Sequence, residues 1–102
     1  MTPGAGASDA AHADQPYRVE VSSEARRSLH RLPGKVAAAI IEFITGPLAD
    51  NPARLSKPLT GELNDYRSAR RGDYRVLLRL DEAAHLVLVV RIAHRAHAYR
   101  PR

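Results

Sequence analysis

The sequence predicts a single α+β domain: a strand, a two-helix hairpin and then an antiparallel sheet. Three observations predict it. Tyr17, Val19 and Val21 alternate with Arg18 and Glu20, the period of a half-buried strand. From Ala25 to Leu48 apolar residues recur every three or four positions, in two runs separated by Pro33-Gly34. From Tyr66 to Ala93 the period returns to two, in segments divided by Gly72 and by Asp81 to His85. A chain of 102 residues without cysteine supports one modest core, stabilised by packing and not by disulfides.

Each element has its own local signature. Residues 1–15 are mainly Ala, Gly, Ser, Asp and His without apolar periodicity, and read as a disordered N-terminal extension ahead of a domain at residues 16–102. Ser22 and Ser23 are both good helix N-caps, and Glu24 suits the positive end of the helix that follows to about Leu32. Ala25, Leu29 and Leu32 share one side of it, with Arg26, Arg27, His30 and Arg31 outside. Pro33-Gly34 breaks this helix and starts a second, whose stripe is Val36, Ile40, Phe43 and Ile44. Gly46-Pro47 ends or kinks it, a choice the sequence leaves open, and Asp50-Asn51-Pro52 is the firmer stop.

Residues 53–65 carry Pro58, Gly61 and scattered leucines, and read as mostly irregular connection. Strands are expected at Tyr66 to Arg70, Asp73 to Leu80 and Leu86 to Ala93. Alternation sets Tyr74, Val76, Leu78 and Leu80 against Arg75, Leu77 and Arg79. It also sets Leu86, Leu88, Val90 and Ile92 against Val87, Val89 and Arg91. The helices need an apolar surface, so they are expected to cover the face bearing Val76, Leu78, Leu88 and Val90 and leave the arginine face open.

The formal net charge of +5 is unevenly placed. Residues 1–51 hold five Lys/Arg and six Asp/Glu, a balance of −1, whereas residues 52–102 hold eleven and five, a balance of +6. Lys57 is the one lysine of that second half; arginine supplies the rest. The planar guanidinium suits phosphate, so a nucleic acid is the first partner inferred, against a solvated sheet face or an acidic protein. Lys57 and Arg54 read as loop charges, and Asp81 and Glu82 as turn chemistry.

Several chemistries find no support. A phosphate-binding Gly-rich loop and a nucleophile elbow are both missing, and His94-x-x-His97 has no carboxylate near it in sequence. No metal site and no cofactor are expected. No apolar run approaches the roughly 20 residues of a membrane helix, and no signal segment opens the chain, so a cytoplasmic protein without membrane contact is expected.

What remains is Arg75, Arg95 and Tyr99, with Arg70, Arg71, Arg91, His94 and His97 nearby. Such a set can cleave RNA without metal, because the substrate brings its own nucleophile, the 2′-hydroxyl. The protein has to position the phosphodiester, take that proton, protonate the departing 5′-oxygen and offset the charge growing on phosphorus. Tyrosine is a poor base at its ordinary pKa of about 10, and close cations favour its phenolate.

The order of elements and three motifs resemble the RelE toxins of type II toxin–antitoxin modules, within the RelE/ParE superfamily. The motifs are Lys57-Pro58-Leu59, the run Ser68-Ala69-Arg70-Arg71-Gly72-Asp73-Tyr74-Arg75-Val76-Leu77, and His94-Arg95-x-x-x-Tyr99-Arg100. The resemblance spans Tyr17 to Arg100 and implies a strand, two helices and a curved antiparallel sheet. It also implies metal-independent cleavage of messenger RNA on the ribosome, and neutralisation by a cognate antitoxin in a hetero-oligomer. Operator DNA would be contacted only through the antitoxin. Carried over residue by residue, it makes Arg75 and Arg95 the phosphate and transition-state stabilisers and Tyr99 the general base. Arg67, Arg70, Arg71, Arg91, His94 and His97 become the RNA contacts. The family's two lysines on the strand before the turn are Tyr66 and Ser68 here, with Arg67 and Arg70 as replacement charge. The alternative within the superfamily is a ParE-like inhibitor of DNA gyrase without catalysis; a non-catalytic RNA- or ribosome-binding module is the third.

Overall fold

The computed structural model describes residues 15–94. Residues 1–14 of the expected extension, together with Arg95, His97 and Tyr99, lie outside the described residues. In chain order the elements are β1 (Arg18–Val21), α1 (Ser23–Arg31), α2 (Gly34–Thr45) and the single turns α3 (Pro47–Asp50) and α4 (Pro52–Leu55). These are followed by β2 (Ser56–Pro58), a 3-10 turn at Gly61–Leu63, β3 (Arg67–Arg71), β4 (Tyr74–Asp81) and β5 (Leu86–His94).

One sheet of order β1-β5-β4-β3-β2 carries the fold. Pairing from β2 through β5 is antiparallel, as expected, whereas β1 lies parallel to β5 from Arg18↔Leu86 to Val21↔Val89. A parallel pair needs a long crossover, and the helical hairpin begins the excursion between these two strands. Alternation inside β1 reports its buried face but not the direction of a partner 68 residues on.

The local capping explains where the helices begin and stop. Ser22, not Ser23, is the cap: its Oγ accepts from the Ala25 N–H at 3.1 Å and donates to the Val90 carbonyl at 2.9 Å. One hydroxyl thus starts α1 and ties it to β5. Gly46 closes α2, and a Cβ there would sit 2.9 Å from the Glu42 carbonyl oxygen. Pro47 then opens a fresh turn, so Gly46-Pro47 is a break followed by a second short helix.

Ala25, Ile40, Ile44 and Leu48 pack from the helical layer onto Ala69, Val76, Leu78, Val87, Val89 and Ile92 of the sheet. This corrects the expected face of β5. Leu77 is paired with Arg91 but Leu78 with Val89, which leaves Val90 as an extra residue in a β-bulge. The bulge resets the alternation, so Val87 and Val89, not Leu88 and Val90, are fully buried, while Ile92 stays on the core side as expected. A period-two reading of one strand cannot register an inserted residue.

Residues 53–65 are also more ordered than their sequence suggests. α4 leads into β2, which pairs with β3 through Ser56↔Ala69, Lys57↔Ser68 and Pro58↔Arg67. β2 is an edge strand ending in proline, where a missing N–H costs the ladder nothing on its outer side. β3 and β4 are joined by Gly72-Asp73, with Gly72 at φ +61, the glycine-favouring region that a two-residue hairpin loop needs. At the β4–β5 loop, Asp81 Oδ1 accepts from the Ala84 N–H at 3.0 Å, which is the turn role expected for it.

Candidate functional site

The face of the sheet opposite the helices is where charge collects. Alternation along β4 turns Arg75, Leu77 and Arg79 to this side, since Val76 and Leu78 are on the other. The ladder then fixes their neighbours: Arg70 of β3 stands opposite Arg75, Ser68 opposite Leu77, and Lys57 of β2 opposite Ser68. Lys57, Ser68, Arg70 and Arg75, with Leu55, Pro58 and Leu59, line a hollow of about 420 Å³.

Among the described residues three cations and a hydroxyl border this hollow, and no carboxylate does. Arg70 and Arg75 oppose each other directly, an arrangement that works against the sheet, because like charges in cross-strand pairs repel. The Arg75 Nε is buried without a hydrogen-bond partner among the described residues. Among the described residues Arg70 Nε reaches only the Gly72 carbonyl, at a long 3.4 Å. A native site that leaves a buried guanidinium donor unmatched and lets cations face each other is matched by an anion with several acceptor oxygens. A second hollow of similar size, at Arg79, Leu80, Asp81, Glu82, Leu86 and Leu88, carries two carboxylates and lacks that character.

The structure brings together only some of the residues singled out from sequence. Arg75 and Arg70 share the hollow. Arg67 does not: its register partner is Leu78, on the helix side, and its guanidinium donates to Ser56 Oγ at 2.7 Å and to the Ala53 and Ser56 carbonyls at 3.0 Å each. Arg71, opposite Tyr74, borders a separate groove with Lys35, Val36 and Ile40 of α2. His94 also stands opposite Tyr74 and meets its ring edge-on at 5.5 Å, away from Arg75. Arg91 Nε lies 3.6 Å from Glu24 Oε2 at the start of α1. Arg67, Arg71 and His94 fall on the helix side once the strands alternate, whereas Arg91, opposite Leu77, shares the face of Arg75 and turns its Nε towards Glu24. Arg79 stands over the Tyr66 ring at 5.8 Å, the distance of a cation–π contact.

Lys57 is the residue that sequence reading passed over. In sequence it reads as a loop charge, whereas the structure sets it in β2, a strand of three residues, one of them proline, too short to show a period. The Lys57-Pro58-Leu59 motif is nonetheless one of the three that carry the family resemblance. Among the described residues no group of three or more His, Cys, Asp or Glu could hold a metal ion.

Comparison with known proteins agrees with this architecture. Residues 19–99 match the family model described as the ParE toxin of the type II toxin–antitoxin system parDE. The chain is 51% identical over 87 residues to Toxin RelE of Mycobacterium tuberculosis, covering 85% of this chain and 90% of that protein. It is 47% identical over 85 residues to Toxin RelG of the same organism, covering 83% and 98%. The fold superposes on the toxin–antitoxin complex RelBE2 of M. tuberculosis with a TM-score of 0.76 at 47% identity, over 79% of this chain and 93% of the matched one. The chain belongs to the RelE/ParE family and is a type II toxin of a toxin–antitoxin module.

Proposed function

We propose that this toxin is a ribosome-dependent endoribonuclease that cuts messenger RNA by attack of the 2′-hydroxyl on the adjacent phosphodiester. The observation that carries the reading is the acid-free hollow in which Arg75 keeps an unmatched buried donor beside Arg70. In the proposed step, Tyr99 takes the 2′ proton and the 2′-oxygen bonds to phosphorus. The bond to the 5′-oxygen then breaks, leaving a 2′,3′-cyclic phosphate, and the departing oxygen takes a proton from solvent to become a 5′-hydroxyl. Arg75 and Arg95 offset the charge on the phosphoryl oxygens, and Arg95 also assists the leaving oxygen. Arg70 holds the RNA backbone, and His97, between Arg95 and Tyr99 in sequence, is a further RNA contact.

So few catalytic groups leave much of the rate to positioning. A ribosome that bends and fixes the message supplies that geometry, which explains why the reading requires the ribosome as well as the message. Regulation follows from the same charge. A cognate antitoxin with acidic residues over the hollow would occupy the phosphate sites, and operator DNA would be reached through that antitoxin. The relationship to a solved RelBE2 toxin–antitoxin complex supports this partner. Among the described residues no helix is long and apolar enough to cross a membrane, in keeping with a proposed cytoplasmic site of action.

Toeprinting on ribosomes programmed with a defined message tests the reading. Wild-type toxin is expected to break the message within the decoding site, and Arg75→Ala, Arg95→Ala and Tyr99→Phe are each expected to slow it by about 100-fold or more. The ParE description of the matching family model keeps a second reading in view, inhibition of DNA gyrase. An intact message together with an induced DNA-damage response is the result that would favour it.

A further inference from the structure

We infer that Lys57 is a third substrate-contacting cation of the hollow, its ammonium binding a phosphoryl oxygen alongside Arg75. The inference rests on the endoribonuclease reading and adds a residue to it. β2 is three residues long, and its register sends Ser56 and Pro58 to the side of Ala69 and Arg67, leaving Lys57 alone on the open face. The Lys57 side chain is exposed, and its ammonium makes no ion pair or hydrogen bond with any described residue.

Position supports the role. Directly across the ladder from Lys57 is Ser68, and diagonally on the same face is Arg70, whose own opposite is Arg75. Diagonal neighbours on one face lie about 7–8 Å apart, within the span of long side chains. Three consecutive strands thus contribute one cation each to the rim of one hollow, with no acid among them. One phosphodiester carries a single charge, and addition of the 2′-oxygen gives phosphorus a second. A further cation at the rim therefore gains more from the doubly charged transition state than from the singly charged ground state. A flexible ammonium, a point charge with three donors, can follow oxygens that move as the bond order changes, whereas the arginine forks are fixed in plane.

The test separates charge from packing, because a lysine stem also covers apolar neighbours such as Leu55 and Leu59. Lys57→Met keeps an unbranched apolar stem without charge, and Lys57→Arg keeps the charge. In single-turnover cleavage on programmed ribosomes, Lys57→Met is expected to fall by about 10- to 100-fold. Lys57→Arg should stay within about threefold of wild type, with thermal midpoints unchanged in both. Binding to a 2′-O-methyl RNA oligonucleotide, which cannot react, is measured separately against salt. There Lys57→Met should flatten the log–log slope by about 0.7, the value for one phosphate of a single strand.

Full activity and an unchanged slope in Lys57→Met, beside an active wild type, overturns the assignment and leaves the endoribonuclease reading intact. Equal losses in Lys57→Met and Lys57→Arg with an unchanged slope also overturn it, since they assign the side chain to packing. A wild type that cuts nothing removes the endoribonuclease reading, and the slope alone then decides whether Lys57 contacts phosphate.

Discussion

Arg67 and Ser56 are locked together at the sheet edge: Arg67 Nε donates to Ser56 Oγ at 2.7 Å, and Ser56 Oγ donates onward to the Pro52 carbonyl at 2.6 Å. A second arm of the guanidinium reaches two carbonyls. This chain of donors pins α4 and β2 against β3, and so holds Lys57 in place. Arg67→Ala is expected to cost about 1–3 kcal/mol, because it strands partly buried acceptors, and to leave the salt slope of RNA binding unchanged. Urea unfolding reads the first and a salt titration the second. A flattened slope at wild-type stability would assign the guanidinium to RNA after all.

The bulge in β5 predicts an order of sensitivity. Val89 is fully buried and Val90 is the inserted residue. Val89→Ala is expected to cost about 2 kcal/mol through lost burial and a small cavity, and Val90→Ala less than about 1 kcal/mol. Denaturant midpoints decide between this order and its reverse, which is what an uninterrupted alternation through Val90 would give.

Ser22 joins two elements, so its loss should exceed that of an ordinary cap. Ser22→Ala removes the acceptor for the Ala25 N–H and the donor to the Val90 carbonyl, for an expected cost of about 1–2 kcal/mol. Ser23→Ala should cost less than about 0.5 kcal/mol. Comparable losses in both would mean that the helix start is not fixed by Ser22.

Arg75 should show function and stability pulling apart. Arg75→Met removes a buried unmatched Nε and relieves its opposition to Arg70, so stability is expected to hold or rise by up to about 1 kcal/mol. Ribosome-dependent cleavage by the same variant should fall by about 100- to 1000-fold. Loss of both together would make Arg75 part of the scaffold and not of the site.

What the sequence disclosed follows from the range of each signal. Helical spacing and capping are local, so α1, α2 and the Gly46-Pro47 break were legible within a residue or two. The turns at Gly72 and Asp81 were legible for the same reason. The parallel β1–β5 pair, the Val90 bulge and β2 depend on partners far along the chain, and none leaves a local trace. The site divides in the same way. Arg75 and Arg70 follow from alternation on strands that were recognised, whereas Lys57 needed the register of a strand too short to show a period. Arg67 looked free in sequence because nothing local shows that Ser56, eleven residues earlier, returns to its side. The family resemblance pointed to Lys57-Pro58-Leu59 without saying which face the lysine takes.

The endoribonuclease reading requires that the hollow act on the 2′-hydroxyl of a ribosome-bound message. It is tested most directly by programming ribosomes with two messages that differ by one 2′-deoxy nucleotide, placed on the 5′ side of the expected break in the decoding site. A single break is expected in the all-ribose message, ending in a 2′,3′-cyclic phosphate, with an intact bond at the deoxy position. Equal breakage of both messages, or an all-ribose message left whole by wild-type toxin, would contradict it.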